Sequence, residues 1–170
     1  MKDNGTEKSC VFNPATGEKE ISIGLEKNEV RFTKDAVRML KKSEPNSLIL
    51  THCHPDDMAF SEADLYKLGH YQSAKETIIE CPQGNKYIFQ RMAPASRKSL
   101  FSMFGKSQPT LMESYHAILN QKLYSHPVTK AYLNQETGLT MEAEQLYSRF
   151  VKETCKEVAE KLNFKFTEIR

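Results

Sequence analysis

The sequence contains no tryptophan, only seven glycines and only four cysteines among its 170 residues. The cysteines Cys10, Cys53, Cys81 and Cys155 lie far apart and form no CxxC pair, so we predict reduced thiols and no disulfide framework. No apolar run approaches the roughly 20 residues that a membrane-spanning helix requires. The opening MKDNGTEKSC also lacks the apolar segment of a secretory signal. These absences favour a cytoplasmic protein with no membrane partner.

The charge of the chain does not indicate a nucleic-acid partner. The 24 basic residues nearly balance the 22 acidic ones, and they are spread along the chain. A nucleic-acid surface would instead concentrate lysine and arginine in one patch or stripe. The length is sufficient to bury one substantial hydrophobic core.

The apolar patterns predict a mixed α/β fold. Alternation predicts strands at 8–13, 18–24, 47–54, 77–81, 86–90 and 164–169. Helical spacing and N-cap residues predict helices at 34–42 after Thr33, from Ser61, after Thr110 and from about Thr140. Residues 93–109 are small, basic and interrupted by proline and glycine, which is typical of a linker or mobile loop.

Two histidines close a strand-like run, and a helix start follows, in the stretch LILTHCHPDDMAFSEAD at 48–64. Side chains two residues apart in a strand share a face, so His52 and His54 should project together. Asp64, in the first turn of the next helix, can bring a carboxylate back to the same strand end. Two imidazoles, one carboxylate and an open fourth position are the usual layout of a catalytic zinc site.

Each half of this pattern also has an ordinary structural explanation. An SxxD at a helix start is by itself a capping box, and a lone HxH pair is a weak signal. Their combination within thirteen residues is more specific.

Other classes of metal-dependent enzyme that use an HxH pair fit this sequence poorly. Metallo-β-lactamase-like hydrolases require histidine where Asp57 stands, zinc deaminases require PCxxC, and amidohydrolase-type barrels require roughly 250 residues.

The pattern of HxHP followed by SxxD resembles the signature of the JAMM/MPN metallopeptidases. THCHPDDMAFSEAD is similar to the THNHP…FS..D form of JAMM-like modules in phage head-morphogenesis proteins and related bacterial proteins. The resemblance extends over 6–92, through TEKSCVFNPATGE, GLEKNEVRFT and ECPQGNKYIFQR. Two departures are that Cys53 replaces the more usual asparagine or serine, and that the common glycine after HxHP is absent.

This resemblance implies a cytidine-deaminase-like mixed sheet flanked by helices, with a helical C-terminal part. It implies a JAMM-like core at 1–92, the linker at 93–109, and a helical part at 110–170 packing on the same domain. It would make His52, His54 and Asp64 the Zn²⁺ ligands, with Ser61 holding the water or the developing oxyanion. Glu7 would be the general base, and the competing candidates are Glu18, Glu20, Glu26 and Glu29.

The activity that the resemblance implies is zinc-dependent hydrolysis of an amide, peptide or isopeptide bond. Its substrate would be a peptide or protein, such as a ubiquitin-like conjugate or a phage protein. The alternative is a non-catalytic, JAMM-like zinc-binding module for interaction or assembly in a phage or prophage system. The remaining histidines, His70, His116 and His126, are interpreted as structural or surface residues, with His126 preceding Pro127 in a predicted loop.

Overall fold

A six-stranded mixed sheet runs through the residues that the structure describes. In this computed structural model those residues are 7–24, 30–54, 58–92 and 110–170, so the predicted linker at 93–109 lies outside them. The strands are β1 (Lys8–Phe12), β2 (Lys19–Ile23), β3 (Leu48–Cys53), β4 (Ala74–Glu80), β5 (Lys86–Arg91) and β6 (Phe164–Ile169). Their order is β2-β1-β3-β4-β5-β6. Only β3 and β4 are parallel, and the other neighbours are antiparallel.

Five helices flank this sheet in the described ranges. They are α1 (Lys34–Lys42), α2 (Glu62–His70), α3 (Leu111–Ser125), α4 (Pro127–Leu133) and α5 (Met141–Lys161). Side-chain caps define the starts that the sequence predicted: the hydroxyls of Thr33 and Thr140 accept backbone N–H groups of the first turn, and Thr110 forms a capping box with Glu113. The prediction of a mixed α/β fold is therefore confirmed. No helix in the part of the chain described here is long and apolar enough to span a membrane.

Two local predictions were wrong. We expected a loop around His126 and Pro127, but His126 alone lies between α3 and α4, as the N-cap residue of α4, and Pro127 already occupies the first turn of that helix. Proline fits there because the first helical N–H groups have no partner within the helix. Strand β4 begins at Ala74, three residues before the predicted start at Thr77, because Ala74 and Glu76 pair with β3 and Glu76 also pairs with β5.

The hydrophobic core joins the two halves of the chain. The strand residues Val11, Leu50, Ile79 and Phe89 pack in one buried cluster with helix residues that include Leu65, Leu119, Val151 and Val158. Strand β6 pairs with β5, with Phe166 opposite Phe89, and α5 packs against both β6 and α3. The C-terminal helices therefore cover the same sheet that carries β1 and β3.

The connection from β3 to β4 determines where a site can form. These parallel strands are joined through α2, so the carboxyl end of β3 meets the start of α2. Ligand sites in α/β folds occur at this kind of strand end, where side chains of the strand and the helix start converge. The HxH and SxxD segments lie on the two sides of this junction.

Candidate metal centre

Strand β3 places two imidazole rings side by side. Residues 48–53 alternate between buried and half-buried, and His52 shares the buried face with Leu48 and Leu50. His54 follows one residue beyond the strand, where its backbone N–H donates to the carbonyl of Glu80 at 3.1 Å. The two rings are nearly perpendicular, and their centroids are 4.8 Å apart. The side chains of His52 and His54 therefore project together, as the sequence predicted.

Glu7 reaches the histidines through the pairing of β1 with β3. Lys8 lies opposite Cys53 and Ser9 lies opposite His52, so Glu7 comes next to His54, one step beyond the ladder. The Glu7 carbonyl accepts the N–H of Gly24 at 2.8 Å, which fixes the backbone. The buried Glu7 side chain brings Oε2 to 3.0 Å from Nε2 of His52.

The two competing glutamates within the described residues do not share this position. Glu18 and Glu20 lie at the start of β2 and do not line the cavity into which Glu7 points. Glu26 and Glu29 lie outside the described residues. Of the described candidates, the structure brings Glu7 alone to the histidines.

The helix start supplies a second carboxylate. Ser61 is the N-cap of α2, and Asp64 completes a capping box in which the Ser61 N–H donates to Asp64 Oδ2 at 2.9 Å. The Ser61 hydroxyl donates to the same oxygen at 2.5 Å. Asp64 also contacts both histidines, with Oδ1 2.8 Å from Nδ1 of His52 and Oδ2 3.4 Å from Nε2 of His54. Asp64 therefore caps α2 and also contacts both histidines.

Hydrogen bonding defines the protonation of the His54 ring. Its Nδ1 lies 3.0 Å from the carbonyl oxygen of Met58. A carbonyl only accepts, so Nδ1 carries a proton, and in the neutral ring Nε2 keeps its lone pair. Histidine ligands of metals are commonly oriented in this way by a backbone carbonyl. Nε2 of His54 is thus available as a metal-ligating atom.

The His52 ring lies between two carboxylates, Asp64 on Nδ1 and Glu7 on Nε2. Burial alone would raise the pKa of Asp64, but hydrogen bonds and charge from His52 and His54 outweigh it and hold the pKa well below its usual range. Burial alone would lower the pKa of His54. The hydrogen bond to Asp64 and its charge, with smaller contributions from Met58 and Glu7, raise it instead.

These side chains surround a cavity of about 380 Å³. Helix residues that the sequence pattern did not indicate, Lys67, Tyr115 and Tyr147, complete its wall. Lys67 could have been found from the sequence, because it continues the three-residue spacing of Ser61 and Asp64 along α2. The two tyrosines come from α3 and α5, and no local signal connects them to the motif.

A larger cavity of about 860 Å³ adjoins the first. Met58 and Tyr147 line both cavities. The wall of the larger one is mostly apolar and includes Leu123, Leu133 and Leu139. A ligand that enters the smaller cavity can therefore extend over an apolar surface.

Three of these side chains are close enough to one another that they could hold a metal ion. Glu7, His52 and His54 each offer a ligating atom, and these atoms lie within 4.8 Å of one another, so this buried group could bind a metal ion. Asp64 contacts both histidines and lies against this group. Imidazole and carboxylate donors suit zinc and several other transition-metal ions.

The other histidines lie away from the centre. His70 is exposed and contacts Tyr66, and His116 forms a surface pair with Glu62 at 2.7 Å. The ring of His126 contacts Phe150. None of the three lines the cavity.

The chain was compared with protein-family models, with curated proteins and with solved structures, and none of them matches it.

Proposed function

We propose that this chain is a JAMM-type metallopeptidase, a zinc-dependent hydrolase of amide, peptide or isopeptide bonds. The observation that carries the proposal is the convergence of Glu7, His52, His54 and Asp64 on one buried cavity. Burying four ionisable side chains costs stability unless they are paired or bind a metal ion. They come from the residue before β1, from the end of β3 and from α2, in the pattern that the resemblance to the JAMM/MPN family implies.

In this proposal His52, His54 and Asp64 hold the zinc ion. The 3.4 Å between Asp64 Oδ2 and His54 Nε2 is about the separation of two ligands at zinc bonds of about 2.1 Å in a tetrahedral site. The alternative ligand set takes Glu7 as the carboxylate, with Asp64 orienting His52. The proximity of Glu7 to both histidines supports that alternative, and a pair of variants separates the two.

When bound, zinc supplies Lewis acidity and lowers the pKa of a coordinated water to about 7. Glu7 takes a proton from the attacking water as the new C–O bond forms, and it returns the proton to the amine as the C–N bond breaks. Ser61 fixes Asp64 through the capping box, since its hydroxyl donates to that carboxylate. To stabilise an oxyanion as well, the hydroxyl must turn toward the substrate.

The surroundings of the site favour a peptide or protein substrate. The adjoining apolar cavity, reached past Met58 and Tyr147, offers contact area for side chains next to the scissile bond. A ubiquitin-like conjugate or a phage protein is a substrate of this kind.

Zinc content and hydrolysis, measured on matched variants, test the proposal. We expect about one zinc ion per chain in the wild type, and loss of zinc in His52→Ala and Asp64→Asn. Glu7→Gln should keep its zinc and lose hydrolysis of a proteome-derived peptide library and of isopeptide-linked conjugates, read by mass spectrometry. Glu18→Gln is the matched control because it makes the same change at an exposed glutamate, and it should keep both properties.

Each failure has a separate meaning. A wild type that takes up no zinc even after incubation contradicts the metallopeptidase proposal. Loss of zinc in Glu7→Gln but not in Asp64→Asn transfers the ligand role to Glu7. Zinc binding with no cleavage, unchanged by Glu7→Gln, favours the non-catalytic module.

A further inference from the structure

Lys67 brings an ammonium group to the wall of the metal cavity. It lies one helical turn after Asp64 on α2, and its side chain is 20% exposed. The ammonium lies 4.8 Å from the centroid of the Phe32 ring, a cation–π contact that positions it. Its Nζ is 4.0 Å from Asp64 Oδ1, which is too far for a hydrogen bond. The charge therefore faces the site at ion-pair distance from Asp64 but without a hydrogen bond to it.

The Asp64 carboxylate already has closer partners. His52 lies 2.8 Å from Oδ1, and the backbone N–H of Ser61 lies 2.9 Å from Oδ2. Asp64 does not need Lys67 to satisfy its oxygens, since these partners approach it more closely. Neutralising Asp64 is therefore a weak explanation for the position of Lys67.

The charges of the occupied cavity point to an anionic partner. Among the described residues, Glu7 and Asp64 are the acidic side chains that line it, and Lys67 is the one lysine. With both histidines neutral, the two carboxylates and one ammonium of these described residues, together with a divalent ion, sum to one excess positive charge. In a partly desolvated site this excess favours a substrate that carries a negative charge.

We propose that Lys67 binds a substrate carboxylate next to the scissile bond. The corresponding substrate class is an acylated amino acid or a peptide cleaved at its last bond, where only the amide nitrogen and Cα separate the scissile carbonyl from the carboxylate. This inference rests on the proposed function and names its substrate class. Lysine suits the role because its ammonium is a compact donor that forms charge-assisted hydrogen bonds.

Binding of succinate and of its monoamide, succinamate, tests the assignment without relying on turnover. Both ligands can offer one carboxylate to zinc, and only succinate has a second one for Lys67. Isothermal titration of the zinc-loaded wild type should show succinate binding about tenfold or more tightly than succinamate, as expected for one charge-assisted bond. Lys67→Met should reduce this ratio to about one, and Lys67→Arg should restore part of it.

Two controls keep the result interpretable. Lys67→Met retains an unbranched apolar stem to pack on Phe32, and zinc content and circular dichroism are measured for each variant. Lys75→Met removes an exposed lysine of β4 and should keep the wild-type ratio. Equal binding of the two ligands by the wild type, or an unchanged ratio in Lys67→Met, overturns the assignment while zinc binding stands. Absence of zinc from the wild type overturns both this inference and the proposed function.

Discussion

Replacing Asp64 with asparagine should destabilise the zinc-free protein by about 3–5 kcal/mol at pH 6. Asp64 is 2% exposed and accepts hydrogen bonds from His52 and from Ser61. Asparagine keeps the shape but removes the charge, and its amide nitrogen cannot accept. Removing one member of a buried ion pair costs about 3–5 kcal/mol. Here both His52 and His54 lose Asp64 as a partner, and Glu7 remains beside His52. At about 2–4 °C per kcal/mol for a chain of this size, Tm should fall by about 6–20 °C.

Urea unfolding followed by circular dichroism, with EDTA to exclude metal ions, measures this loss. Asp35→Asn is the matched control, since Asp35 is 54% exposed and pairs with Arg38 on the surface of α1. It should cost less than about 1 kcal/mol. Equal and small effects of the two substitutions would refute the claim that the Asp64 carboxylate anchors the site.

Three further outcomes can be checked on the same protein. The depressed pKa of Asp64 contributes stability that is lost as pH falls below about 4. The raised pKa of His54 contributes stability that is lost as pH rises above about 6.5. A series of unfolding measurements on the zinc-free protein with no stability maximum between these pH values would contradict both shifts. Tyr115→Phe removes a 3.0 Å hydrogen bond to the buried carbonyl of Phe60 and should lower the free energy of unfolding in urea by about 1–2 kcal/mol. An unchanged free energy of unfolding would mean that water or another donor replaces the tyrosine hydroxyl. Burial raises the pKa of Cys155 to about 12. Mass spectrometry should therefore find Cys155 unalkylated by iodoacetamide at pH 8 until guanidinium is added. Rapid alkylation of Cys155 in the folded protein would show that the core opens there.

The part of the site that depends on local rules could be predicted from the sequence. Alternation along β3 places His52 and His54 on one face, and the capping box at the start of α2 places Ser61 and Asp64 in its first turn. Both rules act within a few residues, so they do not depend on the rest of the fold. The mixed sheet with flanking helices followed from the same kind of pattern.

The remaining features depend on long-range pairing. Glu7 meets His52 because β1 pairs with β3 in one register, and a shift of that register by one residue would turn Glu7 to the opposite face. Tyr115 and Tyr147 enter the cavity wall through the packing of α3 and α5, which no spacing near the motif encodes. The start of helix α4 was not predicted because Pro127, which lies in its first turn, was interpreted as a sign of a loop.

The packing of Phe60 has a consequence for the order in which the protein folds. Phe60 immediately precedes Ser61, it is fully buried, and its ring contacts Phe89 and Phe166 at centroid distances of 5.8 and 6.3 Å. The contact with Phe166 forms only after β6 has been synthesised and has added to β5, and contacts so distant in sequence are slow to form. We therefore expect the wall that carries Asp64 to reach its final packing late. We expect zinc uptake to follow the closure of the sheet, as a step near the end of folding.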